Sequence, residues 1–233
     1  MKFFLGLLLG LLLTVGIAAA AFKTAWGGLT DLRFDDDGGA KLSQTLQLSD
    51  FDRISVAGVF DLDVMVGEDF AVEVHGAQKA LDGADIYVEN RVLVLDIGDT
   101  KLQGRRRVLA GGLNAQISLP VLAGVDIAGV VDGEIEGISA DEFSIEFSGV
   151  GELDLDGECG VLKASMSGIG ELDAARLKCR DVEVDVSGIG EARFFASDRI
   201  DASFGGLGKI EVEGSPPIVV KQADSPFARI SVR

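Results

Sequence analysis

Histidine, tryptophan and tyrosine occur once each in this chain of 233 residues, cysteine twice and proline four times. A single imidazole, His75, leaves most zinc sites without ligands and reduces Ser–His and Cys–His nucleophile systems to that one residue. Positive charge is short as well. There are 21 Lys and Arg against 38 Asp and Glu, a net charge of −17. Nucleic-acid phosphates need cations, and so does electrostatic docking onto anionic lipid, so both partners are excluded on charge. The ordinary meaning of such acidity is a soluble surface, and its other meaning is attraction for cations or cationic partners.

What is abundant is apolar residue and glycine. Hydrophobic residues make up 47% of the chain, enough for a substantial core, and glycine occurs 31 times. Much glycine with little proline points to many tight turns between strands rather than to a disordered linker.

The N-terminus reads as an export segment. Met1-Lys2 supplies a positive charge, Phe3 to Ala21 is apolar apart from Thr14 and small glycine breaks, and Ala18-Ala19-Ala20-Ala21 supplies the small-residue pattern that signal peptidase cleaves. Residues 1–21 are therefore expected to be a signal peptide. The alternative is a retained N-terminal anchor, since the run approaches the roughly 20 residues that span a bilayer. No membrane contact is expected beyond this segment, and the sequence names no oligomeric state.

Residues 22–50 read as an irregular lead-in. Its acidic knot, Asp35-Asp36-Asp37-Gly38-Gly39, lacks the spaced ligands and distal Glu of a calcium loop and is taken as a solvated turn. From Phe51 the pattern alternates: Ile54, Val56, Phe60, Leu62, Val64 and Val66 recur with period two, and 70–74, 86–88, 92–95 and 114–119 continue it. Residues 51–120 are thus expected to be a strand-rich N-terminal half, with at most a helical turn near Gln78–Leu81 and a turn at Asn90-Arg91. Gly104-Arg105-Arg106-Arg107 is the basic cluster of this half and reads as a polar loop between strands.

Residues 121–233 repeat. Phe147-Ser148-Gly149-Val150-Gly151-Glu152-Leu153-Asp154 returns as Met166-Ser167-Gly168-Ile169-Gly170-Glu171-Leu172-Asp173 and as Val186-Ser187-Gly188-Ile189-Gly190-Glu191-Ala192-Arg193. A degenerate copy follows at Phe204–Glu211, and Ile127-Ala128-Gly129-Val130 precedes them. A period near twenty signals a solenoid, and alternation around each glycine makes its unit a strand. The expected fold is all-β, a parallel β-helix (β-solenoid) with about 20 residues per coil, preceded by the strand-rich half. Laid in register, Phe143/Leu162/Val182/Ile200, Ile145/Ala164/Val184/Ala202, Phe147/Met166/Val186/Phe204 and Leu153/Leu172/Ala192/Ile210 become core columns. Val150/Ile169/Ile189/Leu207 is expected to join the same inner wall. The glycine before it is expected to turn the corner through a positive φ or a tight bend.

Outward, Glu152, Glu171 and Glu191 stack at about 4.8 Å, with Lys209 at the end of the column. Stacked carboxylates repel, and either a divalent cation or simple solvation relieves them. These three glutamates are the candidate cation stripe; no cofactor and no catalytic residue is assigned. Cys159 and Cys179 are one coil apart. Stacking brings their Cα atoms inside the disulfide window, and export supplies an oxidising compartment. A bonded pair and a stacked pair of thiols both remain open.

The three Ser-Gly-(Val/Ile)-Gly-Glu copies at 148–152, 167–171 and 187–191 resemble those of a bacterial family described as putative auto-transporter adhesin, head GIN domain. So do the segment Phe51–Val64 and the closing stretch Gly206–Pro217. The resemblance covers roughly residues 51–233. It implies an exported, right-handed β-helix and carries no catalytic residues to transfer. The reading is a non-enzymatic cell-envelope protein of the periplasm or cell surface, a binding or scaffold domain, adhesin-like, whose partner is an envelope protein or a glycan. Two alternatives stand beside it. One is a polysaccharide lyase-like enzyme using Glu152, Glu171 and Arg193; the other is a purely structural envelope partner.

Overall fold

The computed structural model describes residues 41–97, 100–102, 105–107 and 112–233. The apolar N-terminal segment and the acidic knot at 35–39 lie outside the described residues. The described chain is nearly all β. Its strands are β1 (Lys41–Leu46), β2 (Arg53–Ala57), β3 (Val59–Val66), β4 (Ala71–Ala77), β5 (Ala84–Glu89), β6 (Val92–Ile97), β7 (Thr100–Leu102), β8 (Arg105–Arg107) and β9 (Leu113–Leu119). Then come β10 (Gly124–Ile127), β11 (Val130–Phe147), β12 (Val150–Met166), β13 (Ile169–Val186), β14 (Ile189–Phe204), β15 (Leu207–Glu213), β16 (Ile218–Ala223) and β17 (Ala228–Val232). One short helix, α1 (Gln78–Leu81), links β4 to β5 and buries Ala80.

The long strands β11 to β14 are the coils. Each pairs in parallel with the next, and each is really three straight runs with bends between them. In β12 the runs are 150–155, 157–159 and 161–166, and each pairs residue for residue with β13 apart from a register shift after Asp154. Gly157, with φ 140°, makes the first bend. Ser167-Gly168 closes the coil and returns the chain to the first run of the next one. Stacking the first runs gives the order β1-β4-β9-β3-β11-β12-β13-β14-β15-β17. Stacking the third runs gives β5-β6-β2-β10-β11-β12-β13-β14-β16.

Two expectations change here. The solenoid does not begin at 121: β2 and β3 already form a coil, joined by Gly58, and lie in parallel against β10 and β11. That coil is threaded out of chain order. It sits between the coil β6–β9 and the coil β10–β11, pairing with both. In the β6–β9 coil the corner is expanded into the antiparallel hairpin β7–β8, which holds Arg105 to Arg107. The lead-in is also not irregular throughout, because β1 pairs antiparallel with β4 over Lys41–Leu46. The reason is local: Leu42, Gln44 and Leu46 bring an alternating strand to an edge that β4 would otherwise leave open.

The core is the stack of inward columns. Phe143, Leu162 and Ile200 are fully buried and Val182 nearly so; Leu153, Leu172, Ala192 and Ile210 form the facing wall. Each such Leu, Ile or Phe contributes about 1.5–3 kcal/mol by leaving water. A coil alone has no second layer to cover these side chains, so the stack holds together only as a whole. At the N-terminal end β1, β4 and β5 run antiparallel to their neighbours and cap the stack. The β5–β6 turn places Asn90 and Arg91 at φ 51° and 66°, as a two-residue hairpin turn requires. At the other end β16 is exposed along its whole length, with Pro216-Pro217 before it and Pro226 after it.

Candidate functional site

The site is the outer surface of the first runs, and the corner that precedes them determines what it shows. Two glycine columns build that corner. In the first column, Gly58, Gly129, Gly149, Gly168, Gly188 and Gly206 stack so tightly that a Cβ on any of the last five would fall on the carbonyl of the glycine below. In the second column, Gly151, Gly170, Gly190 and Gly208 hold φ between 136° and 153°. A Cβ on each of these would likewise strike the backbone beneath. So close approach explains the first glycine from Gly129 onward, and positive φ belongs to the second column and to Gly58, at 132°. Backbone bonds then cross the corner rung by rung, from Ile169 N–H to Gly149 O at 3.0 Å and from Ile189 N–H to Gly168 O at 3.0 Å. The Ser148 hydroxyl donates to Ile127 O at 3.2 Å, one of the backbone groups at this bend.

The residue after the first-column glycine points out. Val130, Val150, Ile169, Ile189 and Leu207 are 47, 47, 53, 50 and 49% exposed. This corrects the expectation that Val150, Ile169, Ile189 and Leu207 line the inner wall. Alternation itself puts them there: Leu162, Ala164, Met166, Gly168, Leu172 and Ala174 are buried at every second position, so Ile169 falls on the outer side. Leu172 is the first residue of the run to turn fully inward.

Two residues further on lies the acidic ladder. The pairing register stacks Asp61, Asp132, Glu152, Glu171, Glu191, Lys209 and Arg229 in one column. A parallel column holds Asp63, Glu134, Asp154, Asp173, Arg193 and Glu211. The sequence pattern missed Asp61 and Asp132 because Phe60 and Val131 stand where later coils have the second glycine. The signal was present in Val59-Phe60-Asp61-Leu62-Asp63 and Val130-Val131-Asp132-Gly133-Glu134, which share the apolar-x-acid-x-acid spacing.

Counter-charge is gathered at one end of the ladder. Lys209 Nζ lies 3.0 Å from Glu191 and 3.7 Å from Glu211. Arg193 pairs with Asp173 at 2.9 Å and with Glu171. Arg176 pairs with Glu134 at 2.9 Å and Asp156 at 3.5 Å. Among the described residues no Lys, Arg or His nitrogen lies within 4.0 Å of the carboxylates of Asp61, Asp132, Glu152 or Asp154. The hydrogen bond to Glu191 holds the Lys209 ammonium above its ordinary pKa. Partial burial, helped by Asp173 in the next rung, pushes the Asp154 carboxyl up.

Between the ladders runs an open groove of about 500 Å³, lined by Val59, Asp61, Val130, Asp132, Glu152 and Glu171 with the second glycine column. The glycines leave its floor bare. The candidate cation stripe Glu152, Glu171 and Glu191 is thus one stretch of a longer mixed-charge column. Among the described residues, no three His, Cys, Asp or Glu side chains gather as a group able to hold a metal ion.

The remaining chemistry-bearing residues lie apart from this face. The structure bonds Cys159 to Cys179 across adjacent coils in the second runs, with Cα atoms 4.5 Å apart and both side chains buried. His75 is on β4, 3.7 Å from Glu73. Sequence had placed it in the other half from the cysteines, and the fold keeps it there.

Together, the parallel coils, the two glycine columns and the outward ladders define a β-solenoid with a regular, repetitive outer face. The chain belongs to the family described as "Putative auto-transporter adhesin, head GIN domain", whose model matches residues 50–216. Among solved structures it is similar to a "putative adhesin" from Bacteroides fragilis NCTC 9343, at 23% identity and a TM-score of 0.68, over 83% of this chain and 97% of that one. It is also similar to a "putative lipid binding protein" from Parabacteroides distasonis ATCC 8503, at 18% identity and a TM-score of 0.49, over 84% of this chain and 97% of that one. The likeness to the Bacteroides fragilis structure is one of fold. No curated protein matches the sequence.

Proposed function

We propose that this protein is an exported, non-enzymatic binding solenoid of the bacterial cell envelope, adhesin-like in role, whose coils present side chains in register to an extended partner. The observation that carries this reading is the outer face of the first runs. Its residues recur at about 4.8 Å over six coils, which suits a polymeric or elongated ligand better than a small substrate. Family membership supports the adhesin-like role. The apolar segment Phe3–Ala21 with its alanine run supports export, and the Cys159–Cys179 bond agrees with an oxidising compartment.

Catalysis has weak support. The lyase-like alternative needs Arg193 poised over a substrate beside Glu152 and Glu171. The guanidinium instead spans Glu171 and Asp173. Both thiols are bonded to each other, and among the described residues the carboxylate within 4.0 Å of His75 is that of Glu73.

The test is a glycan array together with capture from an envelope extract. Saturable binding of a glycan or recovery of one stoichiometric envelope protein supports the reading, and depolymerisation of a polysaccharide overturns it. Export is checked by sequencing the N-terminus of the protein recovered from the envelope. Phe22 at the N-terminus marks cleavage after Ala21, and a retained Met1 marks an anchor.

A further inference from the structure

We infer that the laddered face is a docking surface for a cationic amphipathic helical segment of a partner protein. The segment would lie along the solenoid axis, with its apolar side on Val130, Val150, Ile169, Ile189 and Leu207 and its Lys or Arg side chains over Asp61, Asp132 and Glu152. This deepens the binding-scaffold reading and rests on it.

Exposed aliphatic residues are ordinary when scattered. Here five of them are about half exposed and lie in register on successive rungs, which makes one strip about 20 Å long at the usual strand spacing. Continuous apolar strips rimmed by charge mark interaction surfaces. The strip is not required by the fold, because the close approach at the corner calls for the first-column glycine and leaves the outward residue after it free in type. The coils nonetheless place Val, Val, Ile, Ile and Leu there.

The charge beside the strip selects the partner. The acidic column is neutralised from within at its Glu191 end by Lys209 and at Glu171 by Arg193. Its Asp61–Asp132–Glu152 end has no such cation among the described residues and forms one wall of the groove. An anionic polymer is repelled there, while a cationic one gains both the Coulombic attraction and the apolar contact. The unequal ends also give the face a direction: the basic side chains of the segment belong over Asp132, away from Lys209 and Arg229.

The repeat selects the shape. A helix advances about 5.4 Å per turn, close to the rung spacing of about 4.8 Å. Apolar residues at i, i+4, i+7 and i+11 then meet about one rung each, and about 13 residues cover the strip. Glycine at the floor of the groove carries no side chain to block their tips beside the acidic ladder.

The probe is a synthetic 14-residue amphipathic helix of leucine and lysine, titrated against the purified protein by fluorescence anisotropy at moderate salt. Saturable binding is expected. It should weaken at least about tenfold when the same residues are scrambled out of the helical stripe, and vanish when every lysine is glutamate. The pair Asp132→Lys with Glu152→Lys, and separately the pair Ile169→Ser with Ile189→Ser, should each cost at least about tenfold. Glu146→Lys with Glu183→Lys, on the third-run surface, should change nothing. All six positions are on the outer surface, and unchanged thermal melting verifies the fold of each variant. The assignment is overturned by equal loss in the third-run variant, by full binding in the Ile→Ser pair, or by no binding to the wild type. An envelope partner captured equally well by wild type and by both ladder variants overturns this face while leaving the scaffold reading intact. Absence of any envelope or glycan partner, with peptide binding as described, overturns the scaffold reading alone.

Discussion

Ile169 and Leu172 stand three residues apart on one strand, are nearly the same size, and are 53% and 0% exposed. One belongs to the outer ladder and the other to the inner wall. The neighbouring coils repeat the contrast, with Val150 against Leu153 and Ile189 against Ala192. Side-chain chemistry does not separate the two regions. Parity does: every second residue from Leu162 to Ala174 faces the core, unbroken through Gly170, so Ile169, three residues from Leu172, faces out. In this fold an apolar residue joins the core by its parity along the coil, and Met166, before the glycines, is nearly as buried as Leu172 after them.

Breaking the inner wall should have the largest effect. Phe194→Ala, at a fully buried position, should lower stability by about 3–5 kcal/mol in chemical denaturation, with the loss set by the cavity that remains. Opening the Cys159–Cys179 bond, by reduction or by the double Ala substitution, should cost about 3 kcal/mol, since the bond closes a loop of 20 residues in the unfolded chain. The melting temperature measured with and without reductant checks this, and the double Ala variant should show no reductant dependence.

Gly170→Ala acts on the hinge between the two regions. The added methyl meets the Gly151 carbonyl in a backbone conformation that other residues resist, so a loss of about 1–3 kcal/mol is expected. Ile169→Thr should do far less, within about 0.5 kcal/mol, because the side chain is on the outer ladder. Near-equal melting curves for that variant and the wild type would sharpen the contrast, and a loss of core size would break it.

The smallest effect is in pH. Burial and Asp173 raise the Asp154 carboxyl above its usual 3.8. The folded state therefore holds this proton to higher pH than the unfolded state does. Asp154 thus contributes relative stability below the unfolded value and loses it as pH rises through the folded one. Asp154→Asn should remove that slope, so its stability relative to wild type should rise between acid and neutral pH. Melting curves across that range measure it, and a constant difference would show that Asp154 is not the group responsible.

The fold was legible where the repeat was strict. The spacing of Ser-Gly-x-Gly-acid gives the coil length, and the columns at Phe143, Ile145, Phe147 and Leu153 need only alternation and a period. What was hidden is what a period cannot carry. The coil β2–β3 lacks the second glycine, since Phe60 stands in its place, and it joins the stack out of chain order. Linear spacing from Gly58 to Gly129 therefore conceals two neighbouring rungs. The acidic column was read correctly at Glu152, Glu171 and Glu191 but cut short, because Asp61 and Asp132 belong to those irregular coils. The outward position of Ile169 has a different reason: alternation puts it on the face opposite Met166 and Leu172, and only its aliphatic side chain argues for the core.

The bond between Cys159 and Cys179 bears on how the domain yields to force. Parallel coils pulled from the C-terminal end, where stacking follows chain order, shed one rung at a time, so tension there is released as stepwise lengthening. The disulfide ties one rung to the next across 20 residues. At about 3.4 Å per extended residue it withholds some 65 Å of contour from the unravelling chain. A tether anchored at one end and loaded at the other would therefore be shorter at full extension than its residue count implies. Reduction alone would lengthen it, a difference that single-molecule extension reads directly.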